Sequence, residues 1–142
     1  MLDLLKIERV FKIGKEKSLA LEALQIVESI SLVVKNLLTI EECRKKLSNP
    51  AEMNNLLGWI KLIDKFMEFF ENNKEEEGTM EKGETCVTII VNFICCIRNI
   101  EALSENTMLT LETECLNILT QVLKRNFAIK EIVLNIVRIL SK

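Results

Sequence analysis

Five cysteines, Cys43, Cys86, Cys95, Cys96 and Cys115, are the side chains of this sequence best suited to nucleophilic or metal chemistry. A cysteine attacks as its thiolate and needs a base or a cation beside it to reach that state. The chain has no histidine, and no other activating group is visible near any of the five. Zinc would then need four thiolates, yet no C-x-x-C spacing occurs. Cys95 and Cys96 are adjacent inside an apolar run, so on a helix they point in different directions. The acid pairs Glu41-Glu42 and Glu112/Glu114 carry no pocket signal that would make them a general acid and base. There is no glycine-rich phosphate loop and no nucleophile elbow. The sequence therefore predicts no catalytic residue, no metal ligand, no cofactor and no small-molecule substrate, and it reads against an enzyme. The cysteines read as small buried hydrophobes kept reduced, which points to the cytoplasm or nucleus.

Composition says what kind of scaffold would hold these residues. The 142 residues suit one domain with a real core. Glycine (4) and proline (1) are scarce, which favours helices over tight turns. A hydrophobic share of 49% and a mean hydropathy of +0.20 are high for a small domain: either the fold buries unusually well, or part of the apolar surface meets something besides its own core. The net charge is −2, with 19 basic and 21 acidic residues interspersed, so no general attraction to nucleic acid or anionic membrane is predicted. The first residues thread charges through apolar positions, unlike a signal peptide. The strongest apolar run, 87–97, is shorter than the roughly 18 residues of a membrane span.

Hydrophobic periodicity divides the chain into helices. Residues 1–13 form a short amphipathic segment that Gly14 ends, and 15–38 form a long helix with a wide apolar face around Leu24, Val27, Ile30 and Val34. Thr39-Ile-Glu-Glu42 has the form of a capping box opening a short helix over 40–47. Asn49-Pro50 fits an N-cap followed by a first helical proline. The helix 50–72 places Leu56, Ile60, Ile63, Met67 and Phe70 on one face, broadened by Trp59, Phe66 and Phe69, which suits a globular core better than a coiled-coil seam. Residues 72–83, polar and glycine-containing, read as a flexible loop. Then come helices over 84–98, 100–105, 107–125 and 128–142, the third presenting Leu111, Cys115, Ile118 or Leu119, and Val122.

One helical phrase occurs three times, at 23–38, 86–97 and 129–142: an almost wholly apolar helix with one or two small polar residues. The order short helix, long helix, long buried helix occurs at 40–47, 50–72 and 84–98, and again at 100–105, 107–125 and 128–142. With Asn36, Asn92 and Lys142 taken as equivalent, the separations are 56 and 50 residues. Removing about ten loop residues brings the first near 46, close to the 40–47 residues of armadillo and HEAT units.

The chain thus resembles the armadillo repeat family. The match lies in Val91-Asn92-Phe93 and Lys35-Asn36-Leu37, which end apolar third helices, and in Arg138-Ile-Leu-Ser-Lys142, where lysine replaces the asparagine. Two departures leave HEAT-like pairing open: Asn49-Pro50 and Asn106-Thr107 stand where a glycine is usual between the first two helices, and 72–83 is a long insertion. The stretch 131–142 is also similar to ciliary armadillo repeat-containing proteins, which implies a role in cilium or flagellum assembly. The fold implied is an all-α, armadillo-like right-handed α-solenoid of about two and a half repeats, with units near 1–38, 39–98 and 99–142. A compact helical bundle binding a partner helix in an apolar groove is the alternative. In armadillo proteins the third helices line a groove whose asparagines hydrogen-bond the main chain of an extended peptide, since an amide both donates and accepts. The resemblance therefore nominates Asn36 and Asn92 as contacts to a protein or extended peptide, flanked by Lys35, Arg98 and Arg138, with a homodimer through the end repeats as a further option.

Overall fold

A computed structural model describes residues 19–72, 78–102 and 114–141. Among the described residues it is all-helical, with six helices and no strand. They are α1 (Leu19–Leu37), α2 (Glu41–Leu47), α3 (Pro50–Asn72), α4 (Thr79–Glu101), α5 (Cys115–Arg125) and α6 (Lys130–Leu140). The segment expected over 1–13, residues 103–105 of the helix expected over 100–105, residues 107–113 of that expected over 107–125, and Lys142 lie outside the described residues.

Local chemistry sets most of the boundaries. Asn49 caps α3 as its sequence indicates: its Oδ1 accepts from the Glu52 backbone N–H at 3.0 Å, and Pro50 follows as the first helical residue. The capping box at Thr39 does not form. Ile40 occupies the N-cap of α2 with no side-chain cap bond. The Thr39 hydroxyl instead turns back and donates to the Asn36 carbonyl at 2.7 Å, and Arg44 Nη1 donates to the Leu38 and Thr39 carbonyls at 3.3 Å each. The end of α1 leaves carbonyls without helical partners, and it takes the donors that α2 might have used. The loop expected over 72–83 is also shorter. Gly78, at φ 79, makes the left-handed turn that glycine favours, and α4 starts at the next residue and runs through Gly83. At its other end α4 continues to Glu101, past the unit boundary expected at 98.

The core is built around α4. Cys86, Ile89, Ile90, Phe93, Ile94, Cys96, Ile97 and Ile100 are all fully buried along it. The segment Met80–Glu101 is long and apolar enough to cross a membrane by length and composition, more than the sequence reading allowed, and just over half of it is buried inside the fold. It packs on α1, α3 and α6, and more lightly on α2. The α3 face of Leu56, Ile60, Ile63, Met67 and Phe70 is buried within this core, with the Trp59 and Phe93 rings 5.3 Å apart. Trp59 meets Phe93 while Phe70 lies near Val87, so α3 and α4 run in opposite directions. α1 and α6 lie against α4 on either side rather than chiefly against each other, and α5 lies beside α3.

The α3–α5 contact carries the main buried charge. Arg125 Nε is 3.0 Å from Asp64 Oδ1, and Arg125 Nη2 is 3.4 Å from Glu68 Oε2. Burial raises the Asp64 carboxyl above its ordinary 3.8, and the Arg125 charge offsets only part of that.

Phe93→Ala is expected to cost about 3–5 kcal/mol in urea denaturation, since it empties the centre of the core. Arg125→Met is expected to cost about 2 kcal/mol, because it strands a buried carboxylate beside a partly exposed site. The native state holds the Asp64 proton to higher pH than the unfolded chain does. This contribution to stability is therefore complete below pH 3.8 and lost as pH rises through the native value. Comparison of wild type with Asp64→Asn across that window should show wild type losing stability relative to the variant.

Candidate interaction face

Two polar contacts join the helices that carry the recurring phrase. On α4, Asn92 is 5% exposed, and its Nδ2 donates to Ser31 Oγ of α1 at 3.0 Å. Ser31 in turn donates to its own helix, at the Glu28 carbonyl 2.7 Å away. On α6, the buried Asn135 accepts at Oδ1 from Arg98 Nη1 at 2.8 Å and from Cys95 Sγ at 3.7 Å, both on α4, while its Nδ2 donates to the Glu131 carbonyl at 2.8 Å. A buried amide without partners would cost about 1–3 kcal/mol, and both asparagines avoid that by bridging neighbouring helices.

These contacts also give the helix directions. Ser31 pairs with Asn92, and four residues further along each helix Lys35 lies close enough to Cys96 for its charge to favour the thiolate. Both contacts advance together, so α1 and α4 are parallel. At one end of α4, Val87 shares a cleft with Ile129, and towards the other Arg98 meets Asn135, so α6 runs the same way. The C-terminal turns of all three helices thus lie at one end of the layer, and each holds a cation: Lys35, Arg98 and Arg138. Each first turn holds an acid, Glu22, Glu81 and Glu131. Both placements complement the helix dipoles.

Of the residues nominated from the sequence, Lys35, Arg98 and Arg138 are brought to this common end. Asn36 is exposed beside Lys35, and its carbonyl accepts from both the hydroxyl and the N–H of Thr39. Asn92 is instead turned inward onto Ser31. Asn135 is a further residue of this layer beyond those nominated from the sequence, and its signal is the pattern Leu134-Asn135-Ile136, which repeats Val91-Asn92-Phe93 after 43 residues (135 − 92) and makes Asn135, rather than Lys142, the counterpart of Asn92.

Facing away from α3, α4 presents Glu84, Thr88, Val91, Cys95 and Arg98, with Val91, Cys95 and Arg98 half-buried between the flanking helices. Leu32 and Leu134 stand exposed on either side, next to Lys35 and Arg138. An apolar strip therefore lies alongside a cationic one. No family model, curated protein or solved structure matches this chain.

Three of the five thiols are enclosed in the core. Burial pushes Cys86, Cys96 and Cys115 up to about 12, with the neighbouring Cys95 adding to the shift at Cys96 and Glu101 at Cys115. Among the described residues no three His, Cys, Asp or Glu side chains converge as metal ligands would. An apolar cleft of about 410 Å³ lies between the end of α3, the start of α4 and Ile129, lined by Met67, Phe70, Met80 and Val87 with Glu71 and Glu84 at its edge. A second cleft, of about 400 Å³, is polar, with Lys61, Lys124 and Glu114 mixed around it.

Asn92→Ala is expected to destabilise the fold by about 1–2 kcal/mol, since it removes one side of a buried hydrogen bond. In a double-mutant cycle with Ser31→Ala, thermal or urea unfolding should give a positive coupling energy; strictly additive losses would mean that the two side chains act independently.

Proposed function

We propose that this chain is a non-enzymatic interaction scaffold, an armadillo-like helical segment that binds an extended protein segment across the face formed by α1, α4 and α6. The observation that carries this reading is the paired strip on that face: Leu32, Val91 and Leu134 beside Lys35, Arg98 and Arg138. An extended peptide crossing three parallel helices meets the same pair of chemistries at each step, so apolar and acidic side chains on the peptide would both be satisfied. The repeat reading is supported by the parallel α1, α4 and α6 in one layer, with α3 and α5 in a second. It is supported as well by the 43 residues between Asn92 and Asn135, within the 40–47 of armadillo and HEAT units. The inward bond of Asn92 shifts the peptide contacts from that asparagine to the cations. The other candidate, a bundle that takes a partner helix, would use the apolar cleft beside Met67 and Phe70, whose 410 Å³ suits one or two side chains rather than a helix.

Selection from a random peptide library displayed on phage tests the proposal. Extended sequences enriched in acidic and apolar residues should emerge. Arg138→Glu, on an exposed position of the last turn of α6, and Lys35→Glu, half-buried in the last turn of α1, should each weaken their capture at least tenfold, a loss far larger than any accompanying drop in the thermal midpoint. Failure to enrich any sequence, or capture indifferent to both reversals, counts against this face as the binding site.

A further inference from the structure

The edge of the layer opposite α4 is formed by α1, and it is apolar. Ile26, Ile30, Val33, Leu37 and, just past the helix, Ile40 are spaced 4, 3, 4 and 3 residues apart, and each is between 38% and 56% exposed. A 3.5-residue spacing keeps such a ridge straight against a second helix, as along a coiled-coil seam. Nothing in the core requires that spacing here, because Ala23, Leu24, Val27, Val34 and Leu38 already serve the interior from the neighbouring flank.

The border of the ridge says what fits it. Gln25, Ser29 and Asn36 line its solvent side and are uncharged. The Ser29 hydroxyl donates to the Gln25 carbonyl at 3.1 Å, which spends its donor within its own helix. Of the charges of α1, Lys35 lies towards Cys96 of α4 and Glu28 is two turns from it on the same flank, while the exposed Glu22, one turn before Ile26, stands at the N-terminal end of the ridge. In a two-fold pairing residue i of one copy faces j of the other, and only residues near the axis meet their own twins, so the stretch from Ile26 to Ile40, uncharged along its ridge, brings no like charges together at the centre of such a contact. By area, the five side chains offer roughly 450 Å² of apolar surface, at the size of the largest patch usual on a monomer. With their polar border they approach the ~800 Å² that each partner of a standard interface buries.

We propose that this edge is a homodimer interface, in which the Ile26–Ile30–Val33–Leu37 ridge of one chain packs on that of a second copy about a two-fold axis. The contact is isologous, so it closes at two copies and leaves the cationic face of each chain free. It does not depend on what that face binds.

Sedimentation velocity of the full 142-residue chain tests this, with Val33→Glu and Ile30→Glu as variants and circular dichroism to confirm that each keeps its helix content and thermal midpoint. Wild type should sediment at twice the 16.3 kDa mass of one chain, with a dissociation constant on the order of 10 μM or tighter. The variants should sediment as folded monomers. Because both positions are exposed, Val33→Ser and Ile30→Ser serve if the glutamates unfold, and should weaken the dimer at least tenfold. A wild-type chain that stays monomeric at the highest soluble concentration overturns the proposal, whether the ridge then binds vesicles, another protein or nothing. Dimers that persist in folded Val33→Glu overturn it too, because the contact would then lie elsewhere.

Discussion

Everything in this fold follows from the need to cover one helix. α4 has fully buried residues over most of its circumference, and a helix that is apolar nearly all round cannot be satisfied by a single neighbour. It requires α3 behind it, with α1 and α6 on its flanks, and α2 at one end closes the remaining gap. α5 then rests on α3 through Arg125 and Asp64. Chain order and layer order both follow from this demand. The single polar groups of the layer, Asn92 and Asn135, sit where two helices meet, so that a buried amide finds a partner across the contact. Sliding α1 or α6 along α4 by one turn would break one of these bonds while leaving the apolar contacts nearly as good. The amides therefore fix register, which dispersion and burial alone do poorly.

Much of this architecture was legible in the sequence, because period and cap chemistry are local. The faces of α3, α5 and α6 follow their 3.6-residue patterns, and the Asn49-Pro50 start of α3 forms as written. The failures share a physical cause. Thr39 could donate in two directions, and a competing demand at the end of α1 decided between them, which no local rule records. Gly83 reads as a loop residue but lies within a helix stabilised by burial of the turns that follow it. At the candidate site, Lys35, Arg98 and Arg138 lie in the last turns of their helices, but sequence pattern could not say which way an asparagine faces. Asn36 and Asn92 look alike in a pattern, yet one is exposed and the other is held under Ser31.

The two exposed surfaces of the layer differ in kind. The face over α4 mixes apolar and cationic groups, with a cation in the last turn of each helix. From Ile26 to Ile40 the ridge of the α1 edge is apolar. The first has the features of recognition, where charge sets orientation and partner choice. The second has those of permanent association, where burial counts most. Keeping the two on different sides of the same helix means that neither has to compromise its chemistry for the other.

The buried thiols have a consequence for how this domain can be observed. Cys86 and Cys96 sit on α4 and Cys115 at the start of α5, all raised to about 12 by the same apolar packing that gives the fold its stability. A protonated, enclosed thiol reacts slowly with any electrophile, and it becomes reactive only when its surroundings part. Each of the three is therefore a clock fixed inside the protein. The rate at which it takes up a label measures how often that stretch of the interior breathes, and three such clocks at different places in one core let its openings be told apart.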